Sequence, residues 1–262
     1  GYSSAASDVY KRQEAYQEAG EDPKALECIP MLKRSDIKRE AAKIINEELT
    51  VDDSLFLYHD VCTNGIGYVD LMFKTDSIAP EQIPYLGLLK SVLGYVDTEN
   101  YTYGELFNEI NANTGGINCG VEVFDRADST EEFQAMFSVR GKALYTKMDF
   151  LFKMIGEILN SSKLEDTKRL YEIVASVKSR AQVNLTGAGH STAVLRAAAY
   201  SSPMAAFQDE MAGIGYYQFI EKLEKDFEQR KEETVEELCK LMKKILRPEN
   251  FMISYTGERL SL

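Results

Sequence analysis

Hydrophobic and polar positions alternate along two early runs, residues 55–61 and 67–75. Successive strand side chains point to opposite sides, so Leu55, Leu57, His59 and Val61 share one face, with Phe56, Tyr58 and Asp60 on the other. Asn64 and Gly65 lie between the runs, and Asn-Gly is the strongest short-range hairpin signal. The pattern predicts that these two strands form an antiparallel pair. Residues 117–124 and 133–140 alternate likewise and predict a second hairpin, joined by an acidic loop over residues 125–132. Residues 251–255 read as a last strand.

The rest of the pattern has helical spacing. Pro80 and Glu81 open a segment in which Ile83, Leu86, Leu89, Leu93 and Val96 recur every three or four positions. Thr102 and Glu105 form a capping box for the next helix, which Gly115 and Gly116 end. Met148, Leu151, Phe152, Ile155 and Leu159 mark another, and Tyr171, Val174, Val177 and Ala181 one that runs into the break at Gly187, Gly189 and His190. Beyond Pro203 helical spacing continues to about Arg230, and a charged helix with Leu238, Leu241 and Ile245 stops before Pro248. Hairpins, helices and a terminal strand predict an α+β fold, an antiparallel sheet with helices packed on one face.

Residues 1–13 carry no pattern that continues into the rest of the chain and read as a non-native leader; a chain that begins at Gly reads as a piece of a longer one. Residues 14–50, charged and interrupted by Pro23 and Pro30, read as a connector, and residues 51–262 as a single domain.

The 42 acidic side chains outnumber the 30 basic ones, a net charge of -12 that argues against nucleic acid or anionic lipid as partner. No run of about 18 apolar residues has the length of a membrane-spanning helix. Cys28, Cys62, Cys119 and Cys239 are scattered, without a zinc-like spacing, and fit reduced thiols in a reducing compartment.

Candidate chemistry is thin. The chain has two histidines, His59 and His190, so neither H-E-x-x-H nor H-x-x-E-H can be written, and no metal site is expected. Gly189-His190-Ser191 does not fit a nucleophile elbow, and helical neighbours point about 100° apart, which places His190 badly as a base for Ser191. The Gly-rich stretches at Gly115–Gly116 and Gly187–Gly189 lack the strand-then-helix context of a phosphate loop. They read as helix ends, His190 as a helix cap or backbone hydrogen-bonding group, and Arg196 as one half of an internal ion pair. The small residues from 185 to 203 predict a helix joint with tight packing. No catalytic residue is expected.

Several ordered motifs resemble one family. Ile29-Pro-Met-Leu-Lys-Arg-Ser-Asp-Ile37, Thr63-Asn-Gly-Ile-Gly-Tyr-Val-Asp-Leu71, Thr114-Gly-Gly-Ile117 and Gly189-His-Ser-Thr-Ala-Val-Leu-Arg-Ala197 with Ser202-Pro203 are similar to the start of the second half of presequence-type proteases, within the pitrilysin/insulinase zinc metallopeptidases. The resemblance covers residues 24–258. It implies a fold like that of the mitochondrial processing peptidase and a clam-shaped parent whose two halves, each of two similar α+β domains, enclose a chamber.

In that layout zinc belongs to the parent's N-terminal domain and this chain is the third domain, with Leu86, Leu89 and Lys90 where the zinc helix carries His, Glu and His. The resemblance thus implies a non-catalytic chamber-forming domain without a cofactor of its own. Its partners would be the other domains of the same chain and unfolded peptide, in a bacterial cytoplasm or an organelle matrix. The alternative is a stand-alone structural or interaction module that reuses the fold.

Overall fold

A strand from the far end of the chain separates the two runs expected to pair. In the computed structural model, which describes residues 2–19, 27–41, 43–52 and 54–259, the chain divides into two units, Gly1–Ile44 and Ile45–Leu262. The first contains helix α1 (Tyr2–Glu18) and a single 3-10 turn at Arg34–Asp36, where the Lys33 amide donates to the Asp36 carboxylate at 2.8 Å. Its apolar residues Met31, Leu32 and Ile44 are 81–87% exposed.

The second unit holds a six-stranded sheet in the order β1-β2-β6-β3-β5-β4, with β1 Glu47–Val51, β2 Ser54–Asp60, β3 Ile66–Lys74, β4 Ile117–Arg126, β5 Ser129–Leu144 and β6 Phe251–Gly257. Strand β2 pairs parallel with β6, from Leu55↔Met252 to Asp60↔Gly257, and β3 pairs antiparallel with β6 on its other side. The sheet is therefore mixed, which corrects the wholly antiparallel expectation and the expected β2–β3 pair. Asn64 and Gly65 do reverse the chain, at φ +53° and +84°. A turn signal reports local reversal, however, and the linker is long enough to leave one strand's width, about 4.8 Å on each side, for β6.

The hairpin that does form lies one step earlier. β1 pairs with β2 from Glu47↔Tyr58 to Val51↔Ser54, closed by Asp52 at φ +48°. Every β1 residue is exposed, so the segment lacks the alternation that marks a half-buried strand and reads as connector. The β4–β5 hairpin forms as expected but is longer: its pairing continues through the expected acidic loop to Arg126↔Ser129, with an irregularity at Asp125/Arg126.

Eight helices of this unit are α2 Ile83–Val92, α3 Tyr103–Asn113, α4 Met148–Ser161, α5 Thr167–Gly187, α6 Gly189–Ala198, α7 Pro203–Ala212, α8 Ile214–Lys225 and α9 Phe227–Ile245. Thr102 and Glu105 cap α3 reciprocally as the sequence predicts, and Gly116 at φ +104° follows its end. The helical stretch expected from Pro203 to about Arg230 divides at Gly213 into α7 and α8, and the expected charged helix is α9, which starts at Phe227.

One sheet face is the core: Tyr58, Val69, Phe137 and Val139 pack with Leu86, Leu88 and Leu89 of α2 and Leu151 and Met154 of α4. Each such buried side chain contributes about 1.5–3 kcal/mol of hydrophobic stabilisation. The opposite face presents Tyr68, Asp70, Arg140, Lys142 and Ser254 to a concavity lined by strand and turn residues alone. Helices thus cover one face, as expected.

Candidate functional site

The glycine-histidine segment is a joint, as the sequence predicts, but it is not tightly packed. Gly187 ends α5, Ala188 stands between at φ -122°, ψ 41°, and Gly189 opens α6. No residue of α6 is buried, and a Cβ added at Gly187 or Gly189 would meet nothing within 4 Å. Small residues permit close approach, but among the described residues nothing comes near Gly187 or Gly189. His190 is exposed and caps nothing; the N-cap is Ala188, without a side-chain hydrogen bond.

Arg196 is fixed. Its Nη1 donates to Asp209 Oδ2, and the Asp209 side chain is 2% exposed. Asp209 also accepts from the Ile214 amide at 3.0 Å (Oδ1) and the Gly215 amide at 3.1 Å (Oδ2), so one carboxylate of α7 holds α6 and the first turn of α8. This pairing holds the Arg196 pKa above its usual value. Asp209 is not legible in the sequence as a site residue, because Gln208-Asp209-Glu210 reads like a solvated helix face.

Leu86 and Leu89, at the positions a zinc helix would use for ligands, are 0% and 1% exposed in the apolar core. Hydrocarbon side chains cannot ligate a metal, so the residues present do not fit zinc. Among the described residues no cluster of three or more His, Cys, Asp or Glu could hold a metal ion. Lys90, one turn on from Leu86, instead faces a cavity of about 460 Å³ between the end of α2 and strand β4. Burial pushes the Lys90 pKa down.

The open sheet face carries the other charged group. Arg140 of β5 donates to Asp70 of β3 at 2.7 Å and lies 3.1 Å from Glu122 of β4. Asp70 Oδ1 is buried without a hydrogen-bond partner, and burial outweighs Arg140 in pushing the Asp70 pKa up. Asn118, Gly115, Gly116, Ser254 and Thr256 complete a concavity of about 440 Å³. At its β6 side His59 uses both ring nitrogens, Nδ1 with the Ile45 carbonyl at 2.7 Å and Nε2 with Ser254 Oγ at 3.1 Å. Sequence alternation places Asp70 on this face, but only the β3–β5 register brings it opposite Arg140.

These groups do not assemble a nucleophile with a base. The Cys119 thiol is pushed up to about 12 by burial, and a neutral thiol is a poor nucleophile. Cys62 Sγ faces Asn64 Oδ1 at 3.8 Å, and His59 is occupied. The arrangement can hold and orient polar groups: the sheet face offers a desolvated carboxylate oxygen, the cavity an ammonium group.

Residues 3–223 match the family model described as Peptidase M16c associated. Protein HypA of Clostridium perfringens is 35% identical over 251 residues, which are 96% of this chain and 26% of that protein. Presequence protease 1, chloroplastic/mitochondrial, of Arabidopsis thaliana is 27% identical over 94% of this chain and 23% of its own length. The mitochondrial presequence protease of Saccharomyces cerevisiae is 28% identical over 96% of this chain and 25% of its own. The chain spans about a quarter of the length of these curated relatives.

Proposed function

Since the chain belongs to this peptidase-associated family, we propose that it is a non-catalytic, chamber-forming domain of a zinc metalloendopeptidase that degrades unfolded peptides. One observation carries the reading: within a match that spans most of the chain, the helix that would bear the zinc ligands bears Leu86 and Leu89, both in the core. Zinc would be held in the parent's N-terminal domain, and the partners would be the other domains and the peptide. The open sheet face, with its groove and polar side chains, is the surface best suited to line the chamber. The net charge of -12 suits basic peptides. The names of the plant and yeast relatives, chloroplastic/mitochondrial and mitochondrial, favour an organelle matrix, and a bacterial cytoplasm is the reading if the parent is bacterial like the clostridial relative.

The test compares this chain with its parent. The purified chain is expected to bind no stoichiometric zinc and to cleave no peptide, whereas the parent cleaves and loses cleavage when residues 45–262 are deleted. Metal-dependent turnover by the chain alone overturns the reading. A reading frame with no peptidase half beside it favours the stand-alone module instead.

A further inference from the structure

Two cations face one cavity without an ion-pair partner. Lys90, in the last turn of α2, and Arg180, on α5, both line the space beside β4, and neither makes a hydrogen bond or ion pair with any described residue. This is unusual in a chain with 12 more acidic than basic side chains. Lys90 is half-buried and Arg180 exposed at the rim, so it is chiefly the unpaired Lys90 ammonium whose burial costs free energy that a counter-ion would recover.

The chain's own groups do not supply that counter-ion. Glu122, the one carboxylate among the described residues of the cavity wall, is engaged by Arg140 at 3.1 Å. The end of α2 carries a partial negative charge of about half a unit, against two full positive ones. Its last turn is also closed internally, Leu93 N on Leu89 O and Tyr95 N on Val92 O. A planar guanidinium and a mobile ammonium together match a carboxylate, the first as a fork and the second as a point charge.

The surroundings narrow the class of carboxylate. β4 is the terminal strand of the sheet, so its outer backbone groups are free to pair with an extended chain. The same strand forms one wall of the cavity, and α2, α3, α4 and α5 contribute the rest. A segment running along β4 therefore meets packed helices and has to end there. The wall behind the cations includes Leu93, Ile110 and Ile158, all at most 8% exposed, which suits an apolar last residue.

We propose that this cavity binds the C-terminal carboxylate of an extended peptide that lies along β4 and ends in an apolar residue. The peptide half of this proposal rests on the peptide-handling role above, but it is read as binding to the chain itself. Its failure leaves that role standing, and loss of cleavage in the parent does not touch it.

The experiment uses the full chain and an N-terminally labelled octapeptide ending in leucine, as free acid and as C-terminal amide, followed by fluorescence anisotropy. On the unaltered protein the acid should bind about ten-fold or more tightly than the amide, the scale expected of a charge-assisted pair. In the double variant K90M/R180Q the preference should fall to about two-fold or less, with a melting temperature no lower than that of the unaltered protein. Unlabelled peptide should displace the probe, whereas acetate and succinate should do so only at far higher concentration. Equal binding of acid and amide overturns the proposal, as does a preference that survives in the double variant. Displacement by acetate as effective as by peptide overturns the peptide assignment and leaves a small-anion site.

Discussion

Arg196 and Asp209 form the one ion pair, among the described residues, that anchors the glycine-histidine segment to the body of the domain. The relationship is asymmetric. Asp209 is buried and serves three donors, while Arg196 is 37% exposed and can turn to water. Removing the carboxylate orphans two backbone amides at the start of α8 as well as the guanidinium. Asp209→Ala is therefore expected to cost about 1–3 kcal/mol for each amide left unpaired, and Arg196→Ala distinctly less, in urea unfolding followed by circular dichroism. Equal losses would show that the ion pair, and not the helix anchoring, is what matters.

Two glycines should respond in opposite directions. A Cβ at Gly87 would stand 2.6 Å from the Met211 carbonyl oxygen and 2.8 Å from the Tyr216 ring, where α2 crosses α7 and α8. Backbone cannot swing aside as a side chain can, so Gly87→Ala is expected to destabilise by about 1–3 kcal/mol or more. Gly187 has open space around it, so Gly187→Ala should be neutral or stabilise by about 0.4–1 kcal/mol. Thermal denaturation of the isolated chain distinguishes the two. If Gly187→Ala were as damaging as Gly87→Ala, the open packing of the joint would be wrong.

Elements with strong internal periodicity are legible in the sequence. The capping box at Thr102 and Glu105, the α4 stripe and the end of α5 all stand where spacing places them. The illegible features depend on distant partners. The insertion of β6 between β2 and β3 joins segments almost two hundred residues apart, and no local rule carries that information. Strand β1 escapes because its side chains bury nothing. The charge pair Asp70–Arg140 and the role of Asp209 are hidden for the same reason: the residues are visible, but their surroundings are set by register and helix crossing. The glycines at the joint permit close contact, yet among the described residues nothing lies within 4 Å of a Cβ placed on Gly187 or Gly189.

Asp70 gives a stability dependence on pH whose sign can be worked out. Its pKa is raised from the ordinary 3.8, chiefly by burial, with Arg140 opposing. The folded state therefore binds more protons than the unfolded one just above that value, and stability contributed by the group falls as pH rises through the raised pKa. Asp70→Asn keeps an acceptor for Arg140 and removes the titration. The variant should gain on the unaltered protein as pH is raised from about 3 to 7, measured as the difference in denaturant midpoints. A variant that instead loses ground to the unaltered protein over this range would show that the Arg140 pairing dominates burial.

The exposed apolar side chains lead to the last expectation. Val183 of α5, Val194 of α6 and Tyr200 in the turn after α6 are 67%, 68% and 84% exposed around the joint. Single exposed apolar residues are ordinary, but three of them around a joint whose second helix buries nothing mark a surface that another surface covers. In a protein whose relatives are about four times longer, the covering surface belongs to the rest of the parent chain on the reading proposed above. Cut out, the chain should self-associate at micromolar concentration in sedimentation velocity and bind a hydrophobic dye. The double substitution Val194→Glu and Tyr200→Glu should weaken association by about ten-fold or more while leaving the fold intact, since neither side chain is buried. The same substitutions in the parent should loosen the assembly, seen as faster proteolysis near residue 190. A chain that stays monomeric and dye-free at all concentrations would instead mean that the joint faces solvent in the parent as well.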